Sequence, residues 1–425
     1  MQESSREYAA GTLYRLWIFL VLDIGVSLCL EFVQRSGEAN SLGLLRDLLR
    51  GRMGADSAMY MDHAWTVLHR GLPLYETVFF QEHLKFIYPT SSLLVYGLAA
   101  TMHWSGAGLI VALVWMSLAG ILWLAGEVLL GVLDGSAVWG RWERLQVRLL
   151  AALLAVFFYP VVSGVSLGQI QTLLACLWML SVLAWMRGRQ AGAGVCLGLI
   201  CAFKPTLAVF LLWAILRRQW RFLWAFAGTT AAIQGVAAGL FGWQNAVEYL
   251  RVLSFLGRHG EAFWPNQSVN GLLERWLHNG DCMRWSGMVY PPYNRAVFVG
   301  TMLSSGVLIG FGLWFPLARR WRDSAADFLL FGMLATVASP VAWVHHYSCF
   351  FPGCLYLLGS MLKARGLLPV GAGACFLVLT NAWSMLAGFG ETAWNPVLSY
   401  ELYAGLGLMV AMVIWVDGRR DRFLC

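Results

Sequence analysis

Residues 109–133 read LIVALVWMSLAGILWLAGEVLLGVL, twenty-five residues with a single charge, Glu127. At a rise of about 1.5 Å per residue, such a helix is long enough to cross the ~30 Å hydrocarbon core of a bilayer. Working outward, comparable apolar runs cover Leu13–Val33, Ile87–Met102, Val147–Val165, Thr172–Met186, Ala191–Leu216, Phe222–Phe241, Ala296–Leu317, Phe328–Val344, Cys349–Leu362, Leu367–Gly388 and Leu402–Val416. The chain is 59% hydrophobic and 12% charged, with a mean hydropathy of +0.63. Soluble domains carry roughly twice that share of charge, about 25%. The runs are continuous rather than alternating, which excludes a transmembrane β-barrel. The expected class is an all-α, polytopic integral membrane protein, a single bundle over 1–425 with about eleven or twelve transmembrane helices.

Two polar loops interrupt the pattern. The first, 34–85, has apolar residues at helical spacing from Leu42 to Leu49 and from Ala64 to Leu72, so short interfacial helices are expected in it. The second, 242–295, contains Trp264-Pro265-Asn266-Gln267-Ser268 and the turn Tyr290-Pro291-Pro292-Tyr293. Arginines explain most of the net charge of +7 and cluster at helix ends: Arg141–Arg148, Arg187–Arg189, Arg217–Arg221 and Arg319–Arg322. Counted by the positive-inside rule these ends are cytoplasmic, and both polar loops then face out. Ala191–Leu216 joins two such ends, so it must go out and back, with a break at Lys204-Pro205 where proline removes a donor. One conflict remains: if both Ile87–Met102 and Leu109–Leu133 cross fully, Arg141–Arg148 falls outside, so one of the two is expected to be re-entrant. Arg6 and Arg15 precede the first apolar run, which Glu31 follows in place of a small-residue cleavage site, so an uncleaved first helix is expected. The nine cysteines include no C-x-x-C pair and read as packed thiols. No basic soluble module is present, so nucleic acid is not an expected partner.

Polar groups inside membrane chains are costly and mark function by default. Asp56, at the water–membrane edge, has the chemistry of a general base toward a hydroxyl, and Asp62 competes with it. Lys204 reads either as a snorkelling lysine or as a point charge for a phosphate. His345 and His346 are adjacent and do not share a helical face, so no metal pair is expected; a hydrogen bond to a phosphate or hydroxyl is. Asn266-Gln267-Ser268 matches a glycosylation sequon, a weak signal, or with Arg275 supplies polar contacts to a headgroup. Asp23, Glu127 and Asp327 fall in or near spans and are expected to pair helices.

In order, these islands resemble glycosyltransferase family 87. The early signature is an acidic residue, an aromatic four on, G-x-P-L-Y and aromatic-x-Y-P-P; here it reads Asp56, Tyr60, Gly71, Pro73, Leu74, Tyr75, Phe86, Tyr88 and Pro89, with Thr90 in place of the second proline. Gly168-Gln169 follows, with Gln171 where an Asn is usual one position earlier. Then come Ala193-Gly194, Gly198-Leu199, Lys204-Pro205, Asn266-Gln267-Ser268 with Arg275, and Ser339, Pro340, Trp343, His345 and His346. The resemblance implies a GT-C-type membrane bundle that transfers a hexose, mannose above all, from a polyprenyl-phosphate donor to a lipid or glycan acceptor. It implies Asp56 as base, and catalysis at the outer face of a bacterial plasma membrane. Tyr60, Tyr88, Gln169, Lys204, Asn266, Gln267, Arg275, His345 and His346 are the expected donor-binding residues, with no metal and no cofactor. The rival reading is a transporter or flippase of lipid-linked saccharides, which calls for paired interrupted helices in two related halves; one clear break and no repeat are visible.

Overall fold

The computed structural model describes residues 2–34, 40–133, 139–319, 321–362 and 364–420. Arg320 and residues 35–39 of the first loop lie outside them. Helix α1 (Gln2–Gln34) is followed by the short α2 (Ser41–Leu49) and α3 (Asp56–His69), a π-helical turn at Glu76–Gln81, a 3-10 turn at Thr90–Leu93 and α4 (Leu94–Thr101). Then come α5 (Gly106–Leu133), α6 (Arg141–Phe157), α7 (Tyr159–Ser166), α8 (Gln171–Met186) and α9 (Gln190–Phe203). A 3-10 turn, Pro205–Val209, leads into α10 (Phe210–Arg217), α11 (Trp220–Phe241), α12 (Trp243–His259) and α13 (Val269–Trp276). The rest is α14 (Arg295–Ala318), α15 (Ala325–Val337), a 3-10 segment Val344–Phe350 running into α16 (Phe351–Met361), α17 (Leu367–Leu379) and α18 (Tyr400–Arg420). The described residues are helical or irregular, with no strand.

Among the described residues, five helical segments are long and apolar enough to cross a membrane alone: Ala9–Gln34, Gly106–Leu133, Trp220–Phe241, Arg295–Ala318 and Asn395–Gly418. The pair α6–α7, bent by 62°, has the length and apolarity of a sixth only if it counts as one span. Other expected spans are apolar helices of 10–17 residues, because polar islands and prolines cut them short. Large apolar residues face outward along the long helices, among them Val21, Phe32, Trp224, Leu240, Leu303 and Trp314. Such a surface needs lipid around it.

Ion pairs tie together arginines of several helices at one end, while Arg46, Arg52 and Arg251 pair within the loop layer. Glu127 takes both Arg148, at 2.8 Å, and Arg187, at 2.6 Å, while Arg319 meets Asp417 at 3.5 Å. The first-loop helices α2–α4 and the loop helices α12 and α13 lie at the other end. The topological conflict disappears there. Thr90–Thr101 is only ~18 Å long at helical rise, and it folds back against α5 through a turn at His103, whose φ is +56°. It does not cross; α5 makes the single crossing and returns Arg141 to the arginine end. The break at Lys204-Pro205 is also present: α9 and α10 form a hairpin with both feet at that end.

Inside, Trp178 and Trp185 stack nearly parallel on Phe328, with centroids 5.3 and 4.9 Å away. Gly194 and Gly198, spaced by four, bring α9 against α11. A Cβ at Gly194 would run into the Phe222 carbonyl, and one at Gly198 into Thr229. This is the small-residue packing of membrane helices, where backbones approach closely. Asp327 is fully buried and paired bidentately with Arg217, at 2.6 and 2.7 Å, and Trp213 Nε1 donates to it as well. Glu127 and Asp327 therefore pair helices as expected. Asp23 is also buried, but its carboxylate has no hydrogen-bond partner among the described residues, so it does not pair helices there as expected.

Candidate active site

Asp56 opens α3 and is half-buried. The turn that leads into α8 is docked on it: Gly54 N donates to Ser166 O and Asp56 N to Leu167 O, at 2.6 and 3.0 Å. Gly168 permits this approach. Its φ is +65°, and a Cβ there would collide with the Gly54 carbonyl. Gln169 is thereby aimed at the carboxylate. Its Nε2 donates to Asp56 Oδ2, while its Oε1 accepts from Ser57 Oγ at 3.1 Å and Tyr88 Oη at 3.3 Å. With both acceptor contacts made, the amide has one orientation only. Burial holds the Asp56 carboxyl above the usual carboxylate range, and the bond from Gln169 opposes that shift. Asp56 Oδ1 takes no hydrogen bond from any described residue. Asp62, by contrast, is exposed.

Tyr75 explains the G-x-P-L-Y stretch as scaffold. It is buried, stacks on Phe86 and donates to Tyr88 O at 2.7 Å, which fixes Tyr88 beneath Gln169. Tyr60 lies one helical turn beyond Asp56. Burial first, and then the charge of Asp56, push its phenol up to about 12, so it is a neutral hydroxyl donor at ordinary pH.

Two residues along the same turn, Gln171 faces the second cluster. Its Oε1 lies 3.4 Å from Lys204 Nζ, and that nitrogen lies 2.6 Å from His346 Nε2. His346 Nδ1 accepts from the Trp343 N–H at 3.2 Å, which turns Nε2 toward the lysine. The His345 ring meets the His346 ring edge to face at 4.9 Å. Both histidines are buried, in a 3-10 segment rather than an α-helix, and Lys204 is half-buried at the break after α9. Ser91 Oγ donates to Ala202 O and ties the re-entrant segment to that break.

Gln169 and Tyr88, expected to bind the donor, are buried and bonded in support of Asp56, and three more expected ligand-binding residues do other work here. Asn266 Nδ2 donates to Glu261 O and Pro340 O, and its Oδ1 accepts from Ala342 N. Gln267 Nε2 donates to Trp264 O and Leu398 O, and its Oε1 accepts from Glu401 N. Arg275 Nη1 donates to Asn266 O at 3.0 Å and Nη2 to Ser399 Oγ at 2.6 Å. All three are buried, with these polar atoms spent on the chain itself. They lash the second loop to Ser339–Ala342 and so set the approach to the histidines. The buried Asn266 is no acceptor for a glycan in the folded protein. Sequence reasoning did not single out Ser57, Lys85, Glu261 or Trp285, and it noted Gln171 only as a departure. The one signal for Gln171 was that an amide still stood within one residue of the usual place.

A sequence model of glycosyltransferase family 87 matches residues 86–340. Among curated proteins, the chain is 26% identical over 336 residues to a polyprenol-phosphate-mannose-dependent alpha-(1-2)-phosphatidylinositol mannoside mannosyltransferase of Mycolicibacterium smegmatis, covering 74% of this chain and 68% of that protein. It is 27% identical over 343 residues to the corresponding pentamannoside mannosyltransferase of the same organism, covering 77% and 75%. A Mycobacterium tuberculosis phosphatidylinositol mannoside mannosyltransferase is 26% identical over 356 residues, covering 78% and 76%. No solved structure matches. With a family match across well over half its length and apolar helices long enough to span a bilayer, the chain belongs to glycosyltransferase family 87 and is a membrane-embedded glycosyltransferase.

Proposed function

We propose that this protein transfers a hexose, mannose by the names of its relatives, from a polyprenyl phosphate to a mannoside-bearing lipid, with inversion, at the outer face of the plasma membrane. One observation carries the reading. Gln169 and Gln171 leave the same turn, one toward Asp56 and the other toward Lys204. A base and a cation from distant parts of the sequence are thus held on one rigid support.

The chemistry follows from the groups. Asp56 accepts the proton of an acceptor hydroxyl as its oxygen attacks the anomeric carbon. A new C–O bond forms there, the bond from that carbon to the phosphate oxygen breaks, and the electron pair leaves with the phosphate. Phosphate needs no proton to depart, so a second carboxylic acid of the glycosidase kind is unnecessary. It does need fixed positive charge and donors, which Lys204, His346 and His345 supply. A single displacement inverts the centre, so an α-linked product requires a β-linked donor. The outward orientation is supported by the clusters Arg141–Arg148, Arg187–Arg189 and Arg217–Arg221 in the short connections at the end opposite the α2–α4 and α12–α13 layer, short connections being where the positive-inside count applies.

The test is direct. Purified protein is given polyprenyl phosphates bearing different hexoses together with phosphatidylinositol mannosides, and product linkage is read by NMR. Formation of an α-mannosidic bond is expected, and it is lost in Asp56→Asn. Movement of lipid-linked sugar across vesicles without any new glycosidic bond would replace this reading with the transporter. A cysteine at position 62, expected to react with impermeant maleimide added outside intact cells, checks the orientation.

A further inference from the structure

Trp224 and Trp314 lie on long apolar helices, where lipid accounts for them. Trp104, Trp243, Trp276 and Trp394 are exposed outside such helices, as is Trp285, in the polar loop between α13 and α14 and 44% exposed. What distinguishes Trp285 from those four is that its ring is packed against other rings and a cation. It is also firmly held. Lys85 Nζ sits 4.4 Å from its ring centroid and an equal 4.4 Å from that of Tyr290. The same ammonium pairs with Glu261 at 2.5 Å, and both members of that pair are buried. Lys85 N donates to Gly287 O at 3.0 Å, which pins the loop two residues past the indole. Phe263 packs at 5.7 Å and Trp343 edge-on at 5.2 Å. A large apolar ring left facing water, but immobilised by a buried ion pair, is a preorganised contact surface.

Its place in the site indicates what it contacts. The Tyr60 hydroxyl lies against Gly287, two residues past the indole, and Tyr60 is one turn from Asp56 on α3. Trp343, its other neighbour, precedes His345-His346 and bonds His346 through its N–H. The contacts therefore close a circuit: Asp56, Gln169, Gln171, Lys204, His346, Trp343, Trp285, Tyr60 and back to Asp56. Asp56, Lys204, Trp343 and Trp285 are its partly exposed members. Lys204 and His346 are linked to Asp56 through Gln171 and Gln169, and Trp285 through Tyr60. The Tyr60 link holds none of the groups assigned to phosphate, so it is the one open to a group whose hydroxyl is to reach Asp56.

We infer that Trp285 is the stacking wall of the acceptor subsite, taking the apolar C–H face of a pyranose while the Tyr60 hydroxyl bonds one of its oxygens. This rests on the transferase reading above, with sugar as acceptor. Lys85 and Glu261 are then positioning residues, acting through the indole they hold.

The test compares Trp285→Phe and Trp285→Leu, using polyprenyl-phosphate mannose as donor and octyl α-mannoside as acceptor. Leucine keeps apolar bulk and loses the flat ring; phenylalanine keeps a ring. In Trp285→Leu the acceptor KM should rise roughly five- to tenfold, the range an aromatic contact commands. Donor KM and the slow hydrolysis of donor by water should stay at wild-type values. Trp285→Phe should recover most of the acceptor affinity. An unchanged acceptor KM, an equal rise in donor KM, or a Phe variant no better than Leu overturns the inference. If the wild-type protein transfers no sugar at all, the function reading fails, and the subsite is judged separately. Saturation-transfer NMR should then show octyl α-mannoside binding to wild type and losing signal in Trp285→Leu; equal signals would sink the subsite.

Discussion

Replacing Lys204 by methionine separates a phosphate-binding lysine from one that merely reaches for water. Methionine keeps most of the apolar stem, so packing at the α9 break is preserved while the charge goes. The ammonium has three hydrogens. Gln171 Oε1, at 3.4 Å, accounts for one, and His346 Nε2 stands 2.6 Å off. At least one hydrogen is left for a phosphate oxygen. A single charge-assisted hydrogen bond in a shielded place contributes about 1.5–3 kcal/mol, which at 1.4 kcal/mol per decade is ~10- to 100-fold in donor kcat/KM. The two histidines remain and favour the lower part of that range. The loss should fall on donor KM, and on kcat to the extent that charge grows on the leaving phosphate, while acceptor KM stays put. Steady-state kinetics in detergent, varying each substrate in turn, measures all three quantities. Lys204→Met combined with His346→Gln should cost less than the product of the single effects, because the two side chains share one contact. A well-folded Lys204→Met protein with wild-type donor kinetics would refute the placement of the phosphate at this lysine.

Three further outcomes are expected. Asp56→Asn should lower turnover ~10²- to 10⁴-fold with an unchanged melting temperature, since an amide cannot take the acceptor's proton; Asp62→Asn should be near wild type, and the reverse pattern would transfer the role to Asp62. Asp56 must be ionised to act as base, and burial holds its carboxyl above the usual range, so activity should fall on the acid side through that raised value; Gln169→Leu removes the bond that opposes the shift and should move the acid limb of the kcat/KM profile to higher pH, while a limb that stayed or moved down would contradict the assigned contact. Arg217→Met leaves the Asp327 carboxylate buried without its partner and should cost about 3–5 kcal/mol of stability, read as a lower melting temperature in detergent; adding Asp327→Leu should recover part of it, and a single variant as stable as wild type would show that the pair is dispensable.

What the sequence disclosed depended on whether a residue's job is local. Length and apolarity are local, so the crossings by α1, α5, α11 and α14 were legible, as was the break that proline imposes after Lys204. The re-entrant stretch was half legible. The charge count required one crossing fewer between Gln34 and Arg141, but the apolar residues of Ile87–Met102 pack against α3 and α5 in the same way that a span packs on its neighbours. Asn266, Gln267 and Arg275 show the opposite failure. Polar side chains in a loop beside a membrane read as ligand contacts, but here Asn266 and Gln267 reach backbone carbonyls more than seventy residues away, at Pro340 and Leu398, and Arg275 reaches the Ser399 hydroxyl. Nothing in a linear string distinguishes an amide that meets a substrate from one that meets its own chain. Lys85 and Glu261 were invisible for a related reason: 176 residues separate them, and neither sits in a recognisable motif.

Gln171 draws these strands together. By position it is a departure, an amide one residue past the expected asparagine. In space the departure costs little, because the residue still leaves the first turn of α8 on the side of the α9 break. Gln169 leaves the same turn toward α3. The two amides diverge because Gly168 enters the turn with a left-handed backbone and lets it lie against Gly54. The distance between base and cation is thus governed by a turn with no soft side chain in it, not by the three segments that carry Asp56, Lys204 and His346. Burying so many polar groups together would be prohibitive if each were alone. Here each one satisfies another, and Asp56 and Lys204, both only half-buried, are the residues that a hydroxyl and a phosphate would need to reach.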